Sequence, residues 1–100
     1  MIETNISSDE IRRLAWVLKA LAHPTRLQLL LRIEKEPLCV QELQKEIGQS
    51  QANISQHLAL LRDRGLVVGE RKGNTTCYRL ANPRIGEFLS LGFTLLGEEF

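Results

Sequence analysis

Side chains able to do covalent or metal chemistry are scarce in this chain, with two cysteines and two histidines among 100 residues. That rules out a cysteine-stapled scaffold and leaves few soft ligands for zinc. There is no glycine-rich phosphate loop, no His-Glu zinc motif, and no Ser or Cys with a plausible neighbouring base, so an enzyme is not expected. Long apolar runs are missing too. Leu27 to Leu31 is far too short to cross a bilayer and is interrupted by Gln28. The first residues, Met1-Ile2-Glu3-Thr4-Asn5, show no basic region leading into an apolar stretch, so a cytoplasmic location without membrane partners is expected.

What is present suits one modest domain: 43% hydrophobic and 25% charged residues, with a net charge of only +1. The charge is unevenly distributed. Residues 1–49 carry seven basic and seven acidic side chains, whereas residues 50–80 carry five basic (Arg62, Arg64, Arg71, Lys72, Arg79) against Asp63 and Glu70. Residues 81–100 carry Arg84 against Glu87, Glu98 and Glu99. A local positive excess of this kind is the footprint expected where phosphates are met.

Two helical patterns meet within residues 41–64. Val40, Leu43 and Ile47 recur at helical spacing, and Gly48 suits the left-handed residue that ends a helix. Ser50 is a good cap for the next helix, whose apolar stripe is Ile54, Leu58 and Leu61. Two helices joined by about three residues including Gly describe a helix-turn-helix. At about 100° per residue from Ile54, Ala52, Ser55, Gln56 and Ala59 point away from the core, with Gln51 at the helix start. Small residues let a helix sit close in a groove, and glutamine can pair with adenine; the alternative is a neutral polar face that touches only water. His57 falls at the margin of the buried face and is expected to pack there. His23, before Pro24, reads as a helix-boundary residue rather than a metal ligand.

Around this unit the chain reads as mainly α with a small β-wing. Ser7 or Ser8 caps a first helix over about 8–22, whose apolar stripe is Ile11, Leu14, Ala15, Leu18, Leu21 and Ala22. Trp16 and Val17 lie outside that stripe and suit contact with a partner chain, the alternative for Trp16 being an ordinary core-edge position. A second, nearly all-apolar helix runs from about Pro24 to Glu34 and should be central. Leu38-Cys39-Val40 is a short extended stretch, and residues 66–80 form a hairpin with its turn at Lys72-Gly73-Asn74. Arg71 and Lys72 at that tip suit phosphate or the minor groove, unless the tip is simply solvated. A last helix over 83–97, with Ile85, Phe88, Leu89, Phe93 and Leu96, is too apolar for one small domain to hide.

Lys19-Ala20-Leu21-Ala22-His23-Pro24-Thr25-Arg26-Leu27, Glu42-Leu43, Ser50 to Leu58, Arg64-Gly65-Leu66-Val67 and the wing ending Tyr78-Arg79-Leu80 together resemble the ArsR/SmtB family of winged-helix repressors. The resemblance implies a winged helix-turn-helix in one domain, residues 1–100, dimerising through its first and last helices. Trp16, Val17, Phe88, Gly92, Phe93 and Leu96 fall at that seam. It also implies double-stranded operator DNA as partner, an imperfect palindrome with half-sites about one turn (~10 bp) apart. By motif position Gln51, Ala52, Ser55 and Gln56 would read bases, with Ser50 as cap and phosphate contact. A winged-helix protein-interaction module without effector sensing is the competing reading, distinguished by the steep salt dependence of phosphate contacts.

Family members commonly respond to a metal, a metalloid or a reactive small molecule, and here this chain departs from the better-known patterns. A Cys-Val-Cys arsenite motif is replaced by Cys39-Val40-Gln41, and residues 82–100 contain no His for an interhelical zinc site. No metal or required cofactor is therefore expected. Cys39 and Cys77 remain. If the first strand pairs with the last wing strand, both should lie on the face away from the core, about 4.5–5.5 Å apart at Cα, within reach of a disulfide. A redox or sulfur-species role is favoured over a soft thiophilic ion, since two sulfurs do not fill a three-sulfur site. The alternative is two small apolar residues that stay reduced.

Overall fold

A computed structural model describes residues 5–97. The element order is α1 (Ser8–Leu21), α2 (Pro24–Lys35), β1 (Leu38–Cys39), α3 (Val40–Ile47), α4 (Gln51–Asp63), β2 (Val67–Lys72), β3 (Thr75–Leu80) and α5 (Arg84–Thr94). Local chemistry accounts for most boundaries. Ser7 and Glu10 close a reciprocal cap on α1, Ser7 Oγ accepting from Glu10 N at 3.1 Å and Glu10 Oε1 accepting from Ser7 N at 3.0 Å. That cap holds the Glu10 carboxyl below its usual pKa. His23 stands in extended conformation as the cap of α2, its Nδ1 accepting from Thr25 N at 3.1 Å, with Pro24 opening the helix. Gly48 and Gly65 end α3 and α4 at φ of 77° and 76°, values that cost glycine little.

The core lies between α2 and the helix-turn-helix. Leu29, Leu30, Leu43, Ile54, Leu58 and Leu61 are fully buried, and Ile33, Leu38, Val40, Leu66 and Val67 complete the packing. The three strands form one antiparallel sheet in the order β1-β3-β2. Leu38 pairs with Tyr78 and Cys39 with Cys77, while the hairpin register runs from Val67–Leu80 to Lys72–Thr75. This leaves Gly73-Asn74 as a two-residue turn, with Gly73 at φ 64°. The Tyr78 ring lies over Gly69, where an added Cβ would come within 3.1 Å of it. A Cβ at Gly86 would sit 2.8 Å from the Glu34 side chain, so glycine lets α5 approach α2.

Several expectations need correction. On α1, Ile11 (59%), Leu14 (56%) and Leu18 (39%) of the apolar stripe are exposed, as is Trp16, whereas Val17 turns inward and packs against the core. The cause is that α1 meets the body mainly through its C-terminal end, at Val17, Ala20 and Leu21. The last helix is shorter than 83–97. After Thr94 the chain tightens into i→i−3 hydrogen bonds, Leu95 to Gly92, Leu96 to Phe93 and Gly97 to Thr94. Cys77 does not point outward to solvent; it is 7% exposed, because β3 is the central strand and its sulfur is bonded to Cys39.

Truncating the side chain that anchors the middle of α4 tests this packing. Leu58→Ala should lower unfolding free energy by about 2–5 kcal/mol, read as a reduced denaturation midpoint at unchanged slope.

Candidate nucleic-acid interface

Burial of Ile54, Leu58 and Leu61 fixes the rotation of α4 and turns a polar face outward. Gln51, Ala52, Ser55 and Gln56 are all exposed on it, as is Ser50. Ser50 caps the helix, its Oγ accepting from Asn53 N at 3.1 Å. The turn before it is braced by side chains: Gln49 Nε2 donates to Thr25 Oγ1 at 2.8 Å, and Asn53 Nδ2 donates to Gln49 Oε1. The wing carries Arg71 and Lys72, both exposed, beside the turn; Arg71 Nε donates to Gly73 O at 3.1 Å. Thr75 Oγ1 donates to Gln41 Oε1 at 2.5 Å, joining the wing to α3. Exposed amides on α4 and cations on the wing are the chemistry that base edges and phosphates require.

The structure also uses residues that periodicity could not assign. Arg26 stands where three elements meet: its Nε donates to Ala20 O at 2.7 Å and its Nη2 to Lys19 O at 3.3 Å, covering the C-terminal carbonyls of α1. Its Nη1 donates to His57 Nδ1 at 3.3 Å, and the His57 and His23 rings lie with centroids 4.6 Å apart. Both histidines thus have structural places, His57 half-buried at the helix margin and His23 as a cap. Burial, followed by the neighbouring His23 and Arg26, pushes the His57 pKa below its ordinary value. Arg64, counted among the phosphate-seeking charges, is instead half-buried against Trp16, its guanidinium carbon 4.3 Å from the ring centroid and its Nη1 donating to Trp16 O at 2.7 Å. Arg32 grips Glu46 with two hydrogen bonds, tying α2 to α3. Only the residue types of these pairs were visible beforehand; the Arg32–Glu46, Arg26–His57 and Arg64–Trp16 partners lie 14, 31 and 48 positions apart.

Cys39 and Cys77 are cross-strand partners joined by a disulfide, with Cα atoms 3.7 Å apart, closer than the expected antiparallel spacing. Cys39 is also the residue just before α3, its N–H donating to Glu42 Oε1 at 2.9 Å. No group of three or more His, Cys, Asp or Glu residues arranged to hold a metal occurs among the described residues.

The model of the bacterial regulatory protein family arsR matches residues 23–68, which span α2, the helix-turn-helix and the start of the wing. The regulator NmtR of Mycobacterium tuberculosis is 37% identical over 84 residues, covering 84% of this chain and 70% of that protein. The chain belongs to the ArsR family of transcriptional regulators. The crystal structure of M. tuberculosis Rv0081 superposes with a TM-score of 0.83 at 34% identity, covering 91% of this chain and 92% of that one. The winged helix-turn-helix DNA-binding domain Mb0332 of Mycobacterium bovis, homodimeric in solution, gives 0.85 at 26% identity and covers 98% and 91% of the two chains. Curated relatives are longer, the chain spanning between 62% and 70% of their length. This ArsR-family regulator is therefore a winged helix-turn-helix DNA-binding protein, and no helix among its described residues is long and apolar enough to cross a membrane.

His57 predicts a pH dependence of stability. Because the folded pKa of His57 is lowered, the unfolded chain takes up its proton first as pH falls below about 6.5. Stability should therefore be full above that value and decline on acidification toward the lowered folded pKa. Loss of the Glu46 and Glu10 contributions belongs to a separate, more acidic window below about 4.5. Thermal unfolding of His57→Gln followed between about pH 7.5 and 5.5 should be flatter than that of the parent; an unchanged slope would move the origin elsewhere.

Proposed function

We propose that this regulator acts as a homodimeric repressor, seating α4 of each protomer in successive major grooves of an imperfectly palindromic operator. The observation that carries the reading is the exposed face of Gln51, Ala52, Ser55 and Gln56 beside the exposed cations of the wing. Gln51 and Gln56 would read base edges, Ala52 and Ser55 would permit close approach, and Ser50, Arg71 and Lys72 would meet the backbone. Dimerisation is supported by uncovered apolar side chains on the two end helices and on the turn that follows Thr94. Phe88, Leu91, Leu95 and Leu96 are 48%, 68%, 89% and 72% exposed, alongside the α1 stripe and Trp16 at 45%. An apolar hollow of about 300 Å³ lined by Leu18, Leu21, Leu27, Phe88, Phe93 and Leu96 opens on the same side. The homodimeric M. bovis relative supports the same arrangement.

The switch in this reading is the Cys39–Cys77 pair. In the cytoplasm thiols are reduced by default, so oxidation is the event that carries information. Two thiols surrender two electrons and two protons to an oxidant, a peroxide leaving as water, and a sulfur–sulfur bond forms. The bond joins the residue that opens α3 to the central wing strand. Reduced protein is the operator-bound form and oxidised protein the released one. A zinc site at the pair is not part of this reading, since two sulfurs leave tetrahedral coordination half-filled.

Two measurements test these roles on duplexes selected by the protein from a random library. Gln51→Ala or Gln56→Ala should lose about 1–3 kcal/mol of discrimination at particular bases, whereas Lys72→Ala should weaken binding to every sequence and flatten the salt slope by about 1. Equal losses on selected and random DNA from both classes would refute the assignment. For the switch, oxidation should lower operator affinity by about 5- to 150-fold, and Cys39→Ser or Cys77→Ser should abolish the difference. Inducibility unchanged in either variant would remove the thiols from the mechanism.

A further inference from the structure

Arg64 closes α4 just before Gly65, and its side chain runs back to the middle of α1 rather than out to solvent. It is 18% exposed, whereas the neighbouring Asp63 carboxylate, 3.6 Å from its Nε, is 67% exposed. The guanidinium stacks over the Trp16 ring and donates to a carbonyl of the same residue, so one planar group makes two directional contacts with α1. Its Nε is buried without a hydrogen-bond partner among the described residues, a cost that a freely placed surface arginine would avoid by extending into water. A second tie lies two turns earlier on α4, where His57 reaches the carbonyls of Lys19 and Ala20 through Arg26. Residues 57 and 64 lie seven positions apart on one face, so the C-terminal half of α4 is tied to α1 at two points, directly through Arg64 and indirectly through Arg26 of α2.

We propose that Arg64 is a positioning residue for operator recognition, fixing the angle between the recognition helix and the dimerisation helix and thereby the half-site spacing the dimer accepts. This rests on the dimer and operator reading above. Leverage makes the angle matter. A rotation of about 10° acting over about half of the 34 Å between half-sites moves the reading face by about 3 Å, close to one base-pair step. A loose joint would let one dimer fit several spacings; the Arg64–Trp16 contact makes it stiff. The long exposed side chains of α4 would read the same bases in either case, so spacing selectivity and base selectivity separate.

The full-length chain is tested on duplexes carrying two copies of a half-site selected by the parent protein, placed about 8 to 13 bp apart centre to centre, and on a duplex carrying one copy. The parent should show a single spacing optimum. Arg64→Ala and Arg64→Lys should both flatten that profile, losing about 2- to 30-fold at the optimum while single-half-site affinity changes less than about twofold. Lysine keeps the charge but lacks the planar fork, so it should not rescue. Rescue by lysine, with one-site and two-site affinity falling together in alanine, would mean that Arg64 contacts phosphate and would overturn the proposal. A lowered melting temperature with the spacing profile unchanged would overturn it as well, leaving only a structural role. A parent chain that is monomeric by sedimentation, or that selects no sequence, would instead refute the underlying operator reading and the inference with it.

Discussion

The seating of α4 on α2 is the constraint on which the other features depend. Ile54, Leu58 and Leu61 are fully buried against Leu29, Leu30 and Leu43, so the helix has one allowed rotation about its axis. Every polar position then has a fixed direction. Gln51, Ser55 and Gln56 face solvent because the stripe faces inward, and His57 arrives at the α1–α2 corner because it lies on the border between the two. Dense packing makes this rotation discrete rather than adjustable. A small apolar cluster thus decides which amides are offered to a ligand.

The polar ties around that cluster do different work. Arg26, His57 and His23 join three elements at one corner, and Gln49, Thr25 and Asn53 brace the turn into α4. These contacts are partly exposed and individually modest in energy. Their value is directional, since the Arg26 corner restricts how the helix-turn-helix sits relative to α1 and the Gln49–Thr25 bond how it sits relative to α2, rather than adding greatly to stability.

The elements were legible in the sequence wherever periodicity and capping agreed: α2 by its dense apolar run, α3 and α4 by Gly48 and Ser50, the hairpin by Gly73-Asn74. That Cys39 and Cys77 share a face was legible from in-out alternation, but alternation fixes only facing, and their direct pairing comes from the sheet register. The facing of α1 was not. Helical spacing shows which residues share a side but not which side meets the body, and α1 touches the body mainly near Val17, Ala20 and Leu21. The fate of Arg64 was equally hidden, since a charge near a recognition helix looks the same in sequence whether it meets phosphate or a tryptophan 48 residues earlier. The burial of Cys77 depends on β3 being central, a topological fact that alternation along one strand does not contain.

The order of the sheet has one more consequence. With β3 in the middle, β1 and β2 are both edges, each presenting backbone groups open to pairing with another extended segment. The edge at β1 is only two residues long, and the outer half of β2 is Glu70-Arg71-Lys72, exposed and charged. An incoming strand would have to bring complementary charges and strip water from all three. Sheet extension, the open-ended route to fibres, is thereby blocked, and the apolar surface left for self-association is helical and of limited extent.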